Sequence, residues 1–314
     1  MTEQKKPLGY YIGHVADAQH RHKASSGGIG TMLQKYLLSS GQYGTSITFQ
    51  FNAEKCMYEA RLIHSAEEVN VCGSVYQDID IAGFIREHIE EITNGIIVSC
   101  PPCQVSVIRN MLEKKTIPCF IISFCCSGQT TIEGTWKYFD LLGIKKVDVV
   151  NMQYRGNGWP SGIQIWLKTG TKVFRDNYTE PWKTIHASKL YRPKRCFFCT
   201  FDTSRVAEVS LADPWLDDYK QRDKEGNTLF LVNTTLGLMV IKQLMESNMI
   251  TCEEINQDVY SVAQRNNLSK ANYVQKNKKR LLKILNLTNS AFFYNLFSKN
   301  IFMMRFFVKL QYRL

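Results

Sequence analysis

The sequence predicts a mixed α/β fold, with a parallel-sheet core, an antiparallel extension and a helical C-terminal appendage. Three observations carry that expectation. The apolar runs GIIVSC (95–100) and IPCFIISF (117–124) each precede a stretch of helical spacing, and strand–helix–strand–helix order builds a parallel sheet. KVDVVNMQYR, IQIWLKTG and TKVFRD, between 146 and 176, follow one another with no helix between them, as antiparallel strands do. No glycine or proline occurs after Gly237, and the last sixty residues turn Lys/Asn-rich and then aromatic. Residues 1–250 are therefore expected to form one domain and 251–314 a basic helical extension.

The chain opens with a strand over 8–16 (LGYYIGHVA), followed by a polar loop. The run SSGGIGTMLQKYLLSSG then sets Ile29, Met32, Leu33, Tyr36 and Leu37 on one helical face, with Gly41 as a stop. SITFQF and CMYEARLI flank NAEK and read as a hairpin. A helix is expected over 79–93, a buried strand over 95–100 and a helix from about Gln104 to Lys115. A second buried strand over 117–124 leads into a helix reaching Leu142. After the antiparallel run, VAEVSLAD and LFLVNTT read as strands and LGLMVIKQLMES as a helix.

With 314 residues, 44% hydrophobic and 12% aromatic, the chain can bury one large core or two modest ones. Its first stretch has no apolar run after the lysines, and no uncharged apolar run reaches the ~18 residues of a spanning helix, so a cytoplasmic protein is expected. The net charge of +11 is concentrated in one place. Ile255–Leu314 holds 11 Lys and Arg against one Asp, or +10, which leaves about +1 for residues 1–254. A body so close to neutral argues against nucleic acid as a partner. The basic tail carries Phe292, Phe293, Phe297, Phe302, Phe306 and Phe307 among its cations. That mixture suits peripheral contact with the inner membrane face. An acidic partner such as ferredoxin, or plain packing on the core, are the other readings of the tail.

The chain has ten cysteines. Without export they do not read as a disulfide framework, which leaves metal binding or redox chemistry. Cys56, Cys72, Cys119 and Cys252 lie in apolar or strand-like sequence and read as small core hydrophobes. The others form three groups at element ends: Cys100-Pro-Pro-Cys103, Cys125-Cys126-Ser127-Gly128 and Cys196-Phe-Phe-Cys199. Neighbouring parallel strands end on one sheet edge, so the first two groups should be close in space. Four soft thiolates suit an iron–sulfur cluster. Two CxxC pairs also suit a structural zinc, although the 92-residue gap between them is wide for a small zinc module. CPPC alone reads as a dithiol redox motif. Plain burial at strand ends explains one group easily and three groups poorly.

Seven short motifs occur in a recognisable order: SSGG (25–28), GSVYQ (73–77), PPCQ (101–104), CSG (126–128), YRGNGWP (154–160), CFFCTFD (196–202) and VSLADPW (209–215). Together they resemble the coenzyme F420 hydrogenase/dehydrogenase beta-subunit family, over about residues 10 to 235. The resemblance implies an oxidoreductase that binds FAD and at least one 4Fe-4S cluster. Such a protein relays electrons between a donor protein such as ferredoxin and a small-molecule substrate or deazaflavin coenzyme. Carried over motif by motif, it implies Cys103, Cys126, Cys196 and Cys199 as cluster ligands, with Cys100 and Cys125 ranked behind them. Relatives usually carry Gly where Cys100 stands. Many also carry an N-terminal ferredoxin-like cysteine cluster, whereas this chain has no cysteine before Cys56, so a second cluster would come from a partner. Some bacterial relatives occur in settings of cell-surface polysaccharide synthesis. A non-catalytic or zinc-stabilised accessory protein in such a pathway is the alternative.

Ser25, Ser26, Gly27 and Gly28 precede a helix start, where free amides and the helix dipole favour an anion. With the resemblance they become contacts for a flavin pyrophosphate or a substrate; a ligand-free N-cap is the plain reading. His20 and Lys23, just upstream, would add positive charge. Gly73, Ser74, Tyr76 and Gln77 form a second loop, with Tyr76 expected against an isoalloxazine ring and Gln77 on its polar edge. Arg155 and Trp159 match the family's Arg-to-Gly-Trp element, and Arg155 is expected to stabilise a reduced, anionic flavin or an acidic substrate. Asp213 is the carboxylate expected to orient a ligand, with Trp215 packed behind it.

Overall fold

The apolar runs at 95–100 and 117–124 become the two central parallel strands of an eight-stranded sheet. The computed structural model describes residues 6–176, 178–203 and 205–314. In chain order the first half comprises β1 (Gly9–Val15), α1 (Ala18–Lys23), α2 (Ile29–Ser39), β2 (Thr45–Asn52), β3 (Met57–Ile63), α3 (Ile81–Glu87), β4 (Ile96–Ser99), α4 (Pro102–Lys114), β5 (Cys119–Phe124) and α5 (Ile132–Leu141). There follow β6 (Val149–Gln153), β7 (Gly162–Leu167), β8 (Lys172–Asp176), α6 (Trp182–Ser188), β9 (Val209–Ala212), α7 (Asp217–Arg222), β10 (Thr228–Val232), α8 (Thr235–Glu246) and β11 (Ile250–Ile255). The chain ends in α9 (Gln257–Ala263), α10 (Arg265–Leu268), α11 (Lys270–Lys276), α12 (Lys278–Asn289), α13 (Ala291–Ser298) and α14 (Ile301–Gln311).

The large sheet runs β11-β1-β10-β9-β5-β4-β2-β3. Its middle, β2-β4-β5-β9, is parallel, and both flanks are antiparallel. Strand side chains alternate between faces, so each strand feeds two cores. Ile97, Phe120, Ile122 and Phe230 pack under α2 and α8 with Leu33, Leu37, Val240 and Leu244. Ile96, Val98 and Ile121 pack on the opposite face with Ile85 of α3 and Val105, Ile108 and Leu112 of α4. On that same alternation, Tyr10, Ile12, Leu229 and Leu231 meet Tyr260 and Ala263 of α9. Full burial of each such Leu, Ile or Phe contributes about 1.5–3 kcal/mol, which fixes the register because a one-residue slip would expose the whole set.

The expected antiparallel extension is a second sheet, β6-β7-β8. Met152, Tyr154, Ile163 and Ile165 pack there against Trp182 and Ile185 of α6. The same core takes in Ile284, Phe297, Met304 and Phe307, so the basic tail is docked by its apolar stripes. Gln311, buried, donates to the Ser188 carbonyl at 2.6 Å and accepts from Lys189 Nζ at 2.8 Å.

Four details differ from the sequence expectation. The polar loop after β1 contains α1, capped by Asp17, whose carboxylate accepts from the His20 amide. The helix expected over 79–93 is the shorter α3 followed by a 3-10 turn at Ile89–Glu91. Two short helices, α6 and α7, lie where none was expected. The boundary expected at 250/251 falls at the start of β11, which is the edge strand beside β1. Among the described residues, no helix is long and apolar enough to cross a membrane.

Candidate functional site

β4, β5 and β9 are parallel neighbours and end at Ser99, Phe124 and Ala212. Their next residues, Cys100, Cys125 and Asp213, therefore emerge on one edge, where open α/β sheets gather ligands. A cavity of about 720 Å³ opens there. Ser25, Ser26, Gly28, Gly73, Ser74, Tyr76, Gln77, Arg155 and Asp213 all line it, although they come from four separate stretches of chain. Its size falls within the roughly 300–1,000 Å³ of small-molecule sites.

The start of α2 forms one wall. Gly28 caps the helix in the left-handed region, at φ 80°, which glycine adopts without strain. Ile29, Gly30 and Thr31 line the cavity, and first-turn amides have no partner inside their own helix. That makes the wall a fitting seat for a phosphate. The Thr31 hydroxyl donates to the Gly28 carbonyl at 3.1 Å, so it accepts from His20 Nε2–H at 2.5 Å. Burial, and then the charge of Lys35, lowers the His20 pKa to about 4. At neutral pH His20 is an uncharged donor, not the positive charge anticipated from its position. Gly27 does not line the cavity: a Cβ there would stand 2.3 Å from the Gly13 carbonyl and 2.6 Å from the Thr228 amide. Its role is close packing of the loop against β1 and β10.

Arg155 is buried and almost fully engaged. It makes a two-pronged pair with Asp213 (2.8 and 3.0 Å) and donates to Ser161 Oγ at 2.8 Å and to the Ser25 carbonyl at 2.6 Å. Burial opposes the Arg155 charge, but Asp213 beside it outweighs that and raises the guanidinium pKa. Trp159 stands outside the lining; its indole donates to Asp213 at 3.4 Å and its ring lies 5.3 Å from Trp215. Gln77 is committed as well: its amide accepts from the Tyr58 N–H at 2.9 Å and donates to the Tyr58 carbonyl at 2.8 Å. Tyr76 stacks on Trp182, and burial raises its pKa, so the phenol keeps its proton. The Ser25 hydroxyl accepts from the Ser74 amide, which ties the two glycine loops together.

The four expected ligand cysteines form one electrostatic neighbourhood. Cys103 feels Cys199 and Cys196, and Cys126 feels Cys196 and Cys103. Burial pushes the Cys126 thiol up to about 11, against the pull of Lys270. Cations surround the set. Lys270 Nζ donates to the Cys126 and Phe201 carbonyls, both at 2.8 Å, and stands 3.5 Å from Cys199 Sγ. The Arg192 guanidinium lies against Gly128 and feels Cys196, Cys126 and Cys199. Arg195 feels Cys196 and Cys103 while paired to Asp78. Cys100 is wholly buried behind Cys103, and Cys125 points toward the Tyr260 hydroxyl at 3.7 Å. Among the described residues, no three His, Cys, Asp or Glu side chains are gathered tightly enough for a single metal ion. A lone zinc would need sulfurs about 3.8 Å apart, from Zn–S bonds of about 2.3 Å. A cluster of four irons is larger and holds its thiolates farther apart, so four thiols faced by three cations fit it in donor chemistry and charge.

The family model for the coenzyme F420 hydrogenase/dehydrogenase beta subunit N-terminus matches residues 10–85, and the one for the C terminus of the same subunit matches residues 93–258. The chain belongs to this family. A solved structure of the F420-reducing NiFe hydrogenase complex from Methanosarcina barkeri, derivatised with xenon, contains a chain of the same fold, with 16% identity and a TM-score of 0.66. The match covers 89% of this chain and 95% of that one. A comparison with curated proteins gives no match. The family models end at 258, so Lys270 and the cavity-lining residues Val262–Asn267 lie beyond them. Sequence reasoning missed these, together with Arg192, Arg195 and Thr31. A signal did exist for Arg192 and Arg195, which stand just before the second CxxC pair. None existed for Lys270, 71 residues away from Cys199.

Proposed function

We propose that this chain is an iron–sulfur flavoprotein oxidoreductase, relaying electrons from a donor protein such as ferredoxin to a small-molecule acceptor or a deazaflavin coenzyme. One observation carries the reading: Cys126 belongs to the four-thiol set and also lines the cavity. A cluster site and a flavin-sized site would thus share a wall.

In this reading Cys103, Cys126, Cys196 and Cys199 hold a 4Fe-4S cluster, and Lys270, Arg192 and Arg195 offset its negative charge. The cavity would hold FAD, with the amides of Ile29, Gly30 and Thr31 available to its pyrophosphate. When bound, these groups supply the one-electron and two-electron chemistry. The chain binds, orients and shields them. Arg155 and Asp213 form a pair without net charge that fixes the Ser25 loop, and so the cap of α2, against the far wall. Tyr76 is a neutral donor, and His20, itself uncharged, holds Thr31 in place at the helix cap. α9 and α10, with Gln264 between them, contribute Val262–Asn267 to the cavity wall.

Anaerobic purification followed by iron, sulfide, zinc and flavin assays tests the proposal. Iron with sulfide and flavin in stoichiometric amounts is the expected result. Zinc alone would turn the reading toward a zinc-stabilised accessory protein, and a protein empty of all four toward a non-catalytic one.

A further inference from the structure

The two last helices repeat one pattern ten residues apart. FFYNLFSK (292–299) and FMMRFFVK (302–309) align position for position, with aromatic or aliphatic residues at the first and fifth places, Phe at the sixth and Lys at the eighth. Helical geometry, at 3.6 residues per turn, gives each copy two opposed stripes. The sixth-place residues, Phe297 and Phe307, point inward, where they stack with ring centroids 4.3 Å apart and are buried in the core beside Trp182 and Ile185. The first, fifth and eighth places point outward. Phe292 is 70% exposed, Phe302 74% and Phe306 55%, with Leu296 and both lysines also exposed. Phe297 also touches Phe306 (6.4 Å), so the outer stripe of α14 adjoins α13. A single exposed Phe needs no explanation. The same outward stripe built twice, with a lysine one turn beyond each apolar pair, is an organised surface.

We propose that this face of α13 and α14 docks on an anionic membrane surface. Charge decides among the possible occupants. No Asp or Glu follows Asp258, and the tail's cations are seven Lys and four Arg. A second copy of such a face would meet like charge. Protein interfaces favour Arg and deplete Lys, whereas lysine among outward Phe and Leu is the composition that settles into an anionic headgroup layer. Insertion would be shallow, because among the described residues no helix can span a bilayer. The surface does not depend on any cofactor, and it lies on the part of the chain beyond the family-matched residues.

Truncating the tail would not test this, since the inner stripes of the same helices close a core. The test uses the full-length protein and substitutions confined to the outer stripe. Flotation is measured with phosphatidylcholine vesicles containing about one-third phosphatidylglycerol and with phosphatidylcholine alone. The wild type should float with the anionic vesicles only, and high salt should release it. Phe292→Ser with Phe302→Ser should reduce binding at least tenfold while the thermal unfolding midpoint stays unchanged. Lys299→Gln with Lys309→Gln should cost about fivefold per lysine on anionic vesicles. The proposal is overturned if the wild type fails to float with anionic vesicles at moderate salt, or if both double variants float as well as it does. Salt-sensitive dimerisation, or stoichiometric binding to an acidic protein in place of vesicles, would equally overturn it.

Discussion

The cavity and the thiol set share a wall but are finished to different degrees. In the cavity the side chains that the motifs single out already have partners: Arg155 with Asp213, Gln77 with Tyr58 and Ser25 with Ser74, while at its wall Thr31 holds His20. What it leaves open is backbone, the first amides of α2, and apolar surface. The thiol set is the reverse, with four thiols facing Lys270 and Arg192, while Arg195 beside them is already paired with Asp78. A preorganised pocket keeps its shape without ligand, whereas an unbalanced set of charges and thiols is completed by what it binds. Mutations on the two sides should accordingly fail in different ways.

The largest contrast comes from Cys126→Ala. If the thiol set is a cluster site, iron and sulfide retention should fall to near zero, with cavity-bound flavin lost only in part. Metal content unchanged from wild type would remove Cys126 from the ligand set. Next in size is Arg155→Met, on the cavity side. Stranding one partner of a buried pair costs about 3–5 kcal/mol, so the thermal midpoint should drop sharply before any flavin effect is read. Replacing Asp213 at the same time, with Leu, should recover part of that loss; a double variant no more stable than the single one would refute pairing as the cause. The smallest effect belongs to Lys270→Gln. Removing a charged donor beside Cys199 should shift the cluster potential to more negative values and weaken iron retention modestly, with Lys270→Arg restoring most of both. An unaltered potential would mean that Lys270 only braces the two loops.

Much of this contrast was legible in the sequence, for physical reasons that differ by region. Buried parallel strands are written as unbroken apolar runs, so GIIVSC and IPCFIISF announced β4 and β5 and, through them, the edge where the cysteines meet. Motif order then joined 25–28, 73–77, 155 and 213, and the cavity brings all of these together except Gly27. Short elements carried too few periods to read. AQHRHK of α1 and DDYKQR of α7 are mostly polar, and ITCEEI of β11 is an edge strand with acidic residues on view. The roles of Gly27 and Gln77 were also hidden, because a glycine packed against two strands and a glutamine clamping Tyr58 look in sequence like any ligand loop. Arg155 and Asp213 were picked individually, but nothing linear links side chains 58 positions apart.

Lys270 bonds to the Cys126 carbonyl across 144 residues of chain, one of the most distant contacts in the site. A nascent chain acquires structure from its N-terminus. The body up to β11 can therefore pair its strands and gather all four thiols while the last helices are still being made. During that interval the loops carrying Cys126 and Cys199 lack their bolt, and they are fastened once α11 is in place. If the four thiols hold a cluster, as proposed, it would enter most easily before α11 docks, and a chain already folded around empty thiols would have to unlatch α11 to be filled.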